Sequence, residues 1–382
     1  MMTKSYYLKG LTLMFLILIS VFSYAQSQEA EKDLLKIMDK YQAVGMSVAV
    51  VKDNKIIYNK SFGLKDIASQ TLLQNDDIFR IASISKSFTA TSIMQLVEAG
   101  KLSLDDEVGD LMGFKIRNPK FPETKITLRM VLSHTSSISD KNGYFKLDVI
   151  NPEKNPNWAE SYNDYAPGKG YQYCNLNFNI AGTILEKTSG QRFDQYVKQH
   201  ILDPLGLYGG YCVDSLDNTR FVTLYSYDKE SNKFTPSPEA YAPKSEEIRN
   251  YIMGYSTPVF SPTGGMKISA LDLAKYMTMH MNYGTYKGTK IITGESSRIM
   301  QTKLSDDEGY GLAIQTVDNL IPGKVLQGHT GDAYGLYSSM FFQPQEKFGI
   351  VIITNGCNTD FTKGFNNFLK ESINSVYNHF IK

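Results

Sequence analysis

The sequence predicts an α+β fold: an antiparallel sheet built from both chain ends and flanked by helices, with a mainly helical lobe inserted between them. Three observations predict it. The chain opens with a helix-period segment followed by a hairpin pattern. Its far end carries strand-like runs and a last amphipathic helix. The middle is dominated by helical signals separated by loops rich in Pro, Asn, Gly and Tyr.

Each element follows from its residue pattern. Glu31 to Tyr41 sets Leu34, Ile37, Met38 and Tyr41 on one helical face. Val44 to Val51 reads as a buried strand, Asp53-Asn54 as a turn, and Ile56 to Tyr58 as the returning strand. Near the other end Tyr310–Val317, Leu336–Phe342 and Phe348–Thr354 are strand-like, with Gln343 to Lys347 as a turn. The last helix places Phe365, Phe368, Leu369, Ile373, Val376 and Phe380 at helical spacing. Between the ends, helices are expected over Ser85–Ala99, Leu128–Ser133, Asn177–Thr188, Phe193–Ile201 and Ala270–Met281, and long loops over Asn151–Gly170 and Asp228–Lys244. The expected division is a sheet lobe over about 26–80 and 262–382 and a helical lobe over about 81–261, with a site in the cleft between them.

The first residues read as an export signal. Lys4 and Lys9 precede an apolar run, Leu11 to Phe22, and Ser23-Tyr24-Ala25 offers small residues at the two recognition positions, so the expected cut follows Ala25. The alternative is an uncleaved membrane anchor, for which the run is short. Localisation is then periplasmic or secreted. Cys174, Cys212 and Cys357 form an odd set, so at least one thiol stays free and no disulfide framework is expected. The 382 residues suffice for a large core, and a net charge of +1 argues against nucleic acid as a partner. No His/Cys cluster has metal-ligand spacing and no Gly-rich phosphate loop precedes a helix, so neither metal nor cofactor is expected.

Chemistry concentrates in three short segments. Ser83 and Lys86 stand three apart at the start of a predicted helix, sharing one face. A serine hydroxyl needs a neighbour to take its proton before it attacks. The pattern S-x-x-K is weak alone, since about one or two arise by chance in such a chain, and Ser226 to Lys229 is a second match. That one lies in a polar loop, whereas Ser83 follows a strand-like Ile78 to Ile81 and precedes an apolar helix. The second segment is Tyr173-Cys174-Asn175. A phenolate, favoured by a nearby ammonium, could act as base, and the Asn amide could hold a carbonyl. The third is His329-Thr330-Gly331, just before a predicted strand, where Gly-rich backbone lets a substrate lie along a strand edge. Taken singly, the second and third read more readily as a packed loop and a turn.

In this order the three segments resemble the motifs of the serine β-lactamase and penicillin-binding-protein superfamily, and the tyrosine in the second resembles class C β-lactamases and their esterase and peptidase relatives. Lesser matches fall in order at Gly100 to Asp106, Ile126 to Ser136, Asp203 to Leu207, Thr263 to Met266 and Gln343-Pro344. The resemblance implies that Ser83 is acylated, that Lys86 and Tyr173 form the proton-transfer pair with the base undecided between them, and that Asn175, His329, Thr330 and Gly331 bind substrate. It implies an oxyanion hole from the backbone N–H groups of Ser83 and Asp332. The implied enzyme is an exported serine hydrolase acting on an ester, amide or peptide bond of a small-molecule or peptide substrate. Alternatives are a β-lactamase or D-alanyl-D-alanine carboxypeptidase, or a non-catalytic binder of cell-wall peptides or β-lactams. Two departures stand out. His329 replaces the Lys usual in β-lactamases, which shifts the expectation toward peptidase or esterase, because His is mostly neutral at pH 7. Ser137 stands where relatives resemble His-Thr-Ser-Gly, so a non-Gly residue must take the loop conformation.

Overall fold

The computed structural model describes residues 26–382; the apolar segment read as an export signal lies outside them. Helix α1 (26–40) buries Leu34 and Met38 and leads into β1 (Gly45–Lys52), β2 (Lys55–Asp66) and β3 (Thr71–Leu72). The first reversal falls at Asp53 and Asn54, with φ of 50° and 65°. Two successive left-handed residues make the hairpin turn that matches strand twist, and Asp and Asn tolerate it best.

After β4 (Phe79–Arg80), a 3-10 turn (Ala82–Ile84) opens into α2 (Ser85–Glu98). Most of α2 is buried around its whole circumference, as expected of a helix in the middle of a core. Its hydroxyls are bonded internally: Ser87 donates to the Ile84 carbonyl at 2.8 Å and Thr89 to the Pro262 carbonyl at 2.8 Å. Short helices α3 (Val108–Met112) and α4 (Leu128–Leu132) precede α5 (Asn175–Ser189), α6 (Phe193–Val197) and α7 (Asp203–Leu205). Then come β5 (Gly209–Gly210), the hairpin β6 (Tyr225–Asp228) and β7 (Lys233–Pro236), α8 (Ser245–Arg249), β8 (Lys267–Ile268) and α9 (Ala270–Met281). The hairpin β9 (Thr285–Tyr286) and β10 (Thr289–Lys290) and helix α10 (Gly294–Gln301) bring the chain back to the sheet. The end adds β11 (Gln315–Val317), β12 (Leu326–Ala333), β13 (Leu336–Gln343), β14 (Phe348–Thr354), the hairpin β15 (Phe361–Thr362) and β16 (Phe365–Asn366), and α11 (Asn367–Phe380).

The main sheet is antiparallel throughout, in the order β11-β12-β13-β14-β1-β2-β3. The two chain ends meet where β1 pairs with β14, Val48 facing Ile352. Alternation then divides the core. Val48, Val50, Ile350 and Ile352 pack with α1 and α11 residues such as Leu34, Phe368 and Ile373. Ala49, Val51, Val351 and Ile353 join Met277 and the helical interior on the other face. A strand covered on both faces must be apolar at every position, which is why Val48 to Val51 shows no alternation of polarity.

Several expectations shift. The strand-like run from Tyr310 shrinks to β11, because Tyr310 turns inward and is fully buried. His329-Thr330-Gly331 does not precede a strand but lies inside β12. Glycines disguised it. A Cβ at Gly328 would overlap the Met340 carbonyl oxygen across the ladder, and one at Gly331 would come within 3.0 Å of the Ile81 carbonyl oxygen and Ser338 Oγ. The expected loop from Asp228 contains half a hairpin, and α10 was not anticipated. Ser137 takes φ of 64°, as the departure there required.

Candidate active site

Sheet and helices meet at a cleft of about 930 Å³, lined among others by Ser83, Tyr173, Asn175 and Thr263. Ser83 lies in the 3-10 turn just ahead of α2, not in the helix proper. The residue before it, Ala82, has φ of 49°. That left-handed conformation is costly for a residue with a Cβ, and it turns the chain sharply from β4 into α2. Ser83 is the only residue between Ile81 and Ala90 that is not buried.

Lys86, one helical turn on, is completely buried. Its Nζ lies 3.2 Å from Ser83 Oγ, 2.9 Å from Asn175 Oδ1 and 3.0 Å from the Thr263 carbonyl oxygen. Burial lowers its pKa from 10.5 to about 7, with the Asp140 carboxylate pulling the other way. As a neutral amine it has two hydrogens and one lone pair. The Thr263 carbonyl can only accept. Asn175 Oδ1 also accepts, and that orientation is fixed because Asn175 Nδ2 donates to Asp140 Oδ2 at 3.0 Å while Thr263 Oγ1 donates to Oδ1 at 2.8 Å. Protonated, Lys86 donates its third hydrogen to Ser83 Oγ; once neutral, both hydrogens are taken by these two acceptors and the lone pair is left for the Ser83 hydroxyl.

The Lys86 Nζ is also 4.7 Å from the centre of the Tyr173 ring, and the Ser83 hydroxyl is near enough to the phenol to favour its ionised form. Hydroxyl, amine and phenol thus converge although 90 residues of chain separate Ser83 from Tyr173. One expectation is corrected. The phenol does not become acidic beside the lysine; burial drives its pKa well above 10, and the charges of Glu308 and Asp140 add to the rise against the opposing pull of the Ser83 hydroxyl.

His329 is 2% exposed and both ring nitrogens are engaged. Nδ1 donates to the Thr330 carbonyl at 2.5 Å, so Nε2 is the acceptor for the Tyr310 hydroxyl at 2.9 Å. Burial, and then the charge of Lys86, lowers its pKa to about 3. The ring is neutral and carries no free donor for a substrate carboxylate. Thr330, Gly331 and Asp332 continue along β12, whose outer edge pairs with β11 only as far as Gly328. Thr330 and Asp332 line the cleft, and Gly331 lets the strand lie directly against Ile81 and Ala82.

Residues outside the three segments complete the cluster. Asp140 caps α5: its carboxylate accepts the backbone N–H groups of Asn175 at 2.8 Å and Leu176 at 2.9 Å, a favourable place for negative charge. His134 Nδ1 accepts the Cys174 N–H at 3.1 Å, and its ring lies 4.3 Å from that of Tyr173, which holds the second segment in place. Cys174 is buried, and its thiol is pushed well above its usual pKa by burial and by Asp140, which keeps it out of nucleophilic chemistry. Nothing local marked Asp140 or Tyr310 as part of the site; each acts through a partner far along the chain. The second S-x-x-K match is elsewhere, with Lys229 ion-paired to Asp360.

The Beta-lactamase family profile matches residues 30–372, and the chain belongs to that family of serine hydrolases. Penicillin-binding protein 4 of Amycolatopsis lactamdurans is 27% identical over 88% of this chain and 86% of its own length. Protein flp of Staphylococcus aureus (strain MW2) is 24% identical over 83% of this chain, which spans 61% of that longer protein. Among solved structures, the octameric penicillin-binding protein homologue from Pyrococcus abyssi superposes with a TM-score of 0.71 at 27% identity, covering 92% of this chain and 76% of that one. EstCE1, a hydrolase with promiscuous acyltransferase activity, shares the fold with a TM-score of 0.73 at 19% identity, over 94% of this chain and all of its own. Among the described residues, no helix is long and apolar enough to cross a membrane.

Proposed function

We propose that this chain is an exported hydrolase that cleaves an ester, amide or peptide bond through an acyl intermediate on Ser83. The observation that carries this reading is the hydrogen-bond pattern of Lys86: Nζ lies 3.2 Å from Ser83 Oγ with two fixed acceptors on its other sides, so that in the neutral amine the lone pair faces the Ser83 hydroxyl. Lys86 takes the serine proton as Oγ attacks the substrate carbonyl. Tyr173 keeps its proton until the leaving amine or alcohol needs one, gives it up, and is reprotonated from Lys86. Water then repeats the sequence on the acyl-enzyme. Such acid–base transfer is worth about 10²- to 10⁴-fold in rate. Asn175 orients Lys86 and has one amide hydrogen left for the substrate. The backbone N–H groups of Ser83 and Asp332 form the oxyanion hole; the support is that β12 lies against the Ser83 turn with its edge open there. One such donor contributes about 3 kcal/mol in the transition state.

Peptidase or esterase is favoured over β-lactamase because His329 is neutral and enclosed, so the third segment offers no cation for a β-lactam carboxylate. Similarity to a penicillin-binding protein supports penicillin as an acylating agent nonetheless. The two-lobe division, with the sheet lobe over about 26–80 and 262–382, belongs to the same reading, as does export, which rests on the apolar run Leu11 to Phe22 and the expected cut after Ala25.

One experiment tests nucleophile and export together. A membrane-impermeant fluorophosphonate is expected to label the protein on intact expressing cells, and Ser83→Ala is expected to abolish labelling there and in lysates. Equal labelling of Ser83→Ala would overturn the nucleophile. Labelling confined to lysates would overturn export.

A further inference from the structure

A second pocket of about 230 Å³ adjoins the cleft and shares Arg80, Phe145, Ser261 and Tyr334 with it. Its inner wall includes Lys267, which is 4% exposed. In the ladder of β4 and β8, Lys267 stands directly opposite Arg80, so both side chains leave the same face of the sheet. Like charges in that position repel, and a buried ammonium ordinarily has a carboxylate partner. Neither applies here in a compensated form. Lys267 Nζ has one hydrogen bond, to the Tyr211 carbonyl at 2.7 Å. The Arg80 guanidinium hydrogen-bonds to the Gly264 and Ala240 carbonyls and Ser261 Oγ and lies over the face of Tyr334. Among the described residues, neither has an acidic group within ion-pair distance. Burial and the Arg80 charge hold the Lys267 pKa well below its usual value, which is what a missing counter-ion does to an amine.

The Asp214 carboxylate acts on Lys267, and it only partly offsets the burial and the Arg80 charge. Lys244 is paired with Glu247 at 3.1 Å, and Glu239, without an ion-pair partner among the described residues, lines the pocket. Arg80 carries a fixed charge, and a carboxylate bound beside it would draw a proton onto Lys267 against the burial that now opposes one, which suits a monoanion. We propose that this pocket is a subsite for a carboxylate of the substrate, held between Lys267 and Arg80 while the scissile bond lies at Ser83. The inference rests on the acyl-enzyme reading above and names the substrate class: acyl or leaving groups that carry an acid. Arg80, three residues before Ser83 and lining both spaces, is the physical link between them.

The test compares matched acidic and neutral substrates on both sides of the bond. On the acyl side, p-nitrophenyl hemiesters of succinic, glutaric and adipic acid are set against their methyl esters. On the leaving-group side, phenylacetyl esters of 3- and 4-hydroxybenzoic acid are set against the corresponding methyl benzoates. At least one acidic member is expected to exceed its neutral match in kcat/KM by about 10- to 100-fold, and Lys267→Met is expected to bring that ratio to near one. The ratio is the readout, so a general loss of activity leaves it unmoved. No acidic preference on either side, or a preference that survives in Lys267→Met, would overturn the subsite. Labelling of Ser83 by fluorophosphonate in the same samples separates that outcome from failure of the hydrolase reading itself.

Discussion

Lys86→Met is expected to lower kcat for ester or amide turnover by about 10²- to 10⁴-fold, the range of a lost general base. Methionine keeps the length and apolar body of the side chain, so α2 should stay packed and the protein folded. What disappears is the atom that accepts the serine proton. The loss should fall on kcat and kcat/KM together, because the proton moves only in the transition state, and KM should change little. Steady-state kinetics on a p-nitrophenyl ester checks this. A variant with kcat within about threefold of the parent would show that the Lys86 lone pair is not used. Fluorophosphonate labelling should slow in parallel, since the same deprotonation precedes attack on phosphorus.

Gly331→Ala is the second large effect, and it acts without touching any charged group. A methyl group at Gly331 would collide with the Ile81 carbonyl oxygen and Ser338 Oγ, both within 3.0 Å. Ile81 is joined through Ala82 to Ser83, and Ala82 already holds a left-handed conformation. The turn therefore has little freedom to yield, and β12 and the turn must separate. A displacement of about 1 Å at a reacting centre costs about 10²-fold. We expect kcat/KM to fall by about 10²-fold or more, with a lower Tm from the same overlap. Unchanged activity would mean that the strand and the nucleophile turn are not coupled as drawn.

Much of this was readable in the chain because the signals were local. β1 carries an unbroken apolar run, α11 a clean helical spacing, and α9 matched its expected bounds of Ala270–Met281. Ser83 and Lys86 stood out by a spacing of three at the start of an apolar helix, although Ser83 falls in the turn just ahead of it. The failures share a physical cause: the information lay in partners distant along the chain. Gly328 and Gly331 looked like turn residues, yet they are glycine because neighbouring backbone leaves no room for a Cβ in β12. Asp140 looked like any loop carboxylate until α5 was seen to begin against it. The acidity of Tyr173 was misjudged in sign, because a lysine neighbour is visible as a motif while the burial that outweighs it is a property of the packed fold. His329 was rightly suspected of being neutral, but its sequestration depends on Tyr310, whose inward turn the strand-like pattern hid.

The central claim is that Lys86 removes the Ser83 proton as a neutral amine. A base whose pKa is lowered to about 7 becomes competent as pH rises through that value and stays competent above it. The direct test is the acylation rate of Ser83 in single turnovers between about pH 5 and pH 11, followed by release of the first product. The rate should climb through about pH 7 and then level off. A rate that is flat through neutrality and rises only toward pH 10 would mean that Lys86 stays charged and that a phenolate of Tyr173 does the work, contradicting this account.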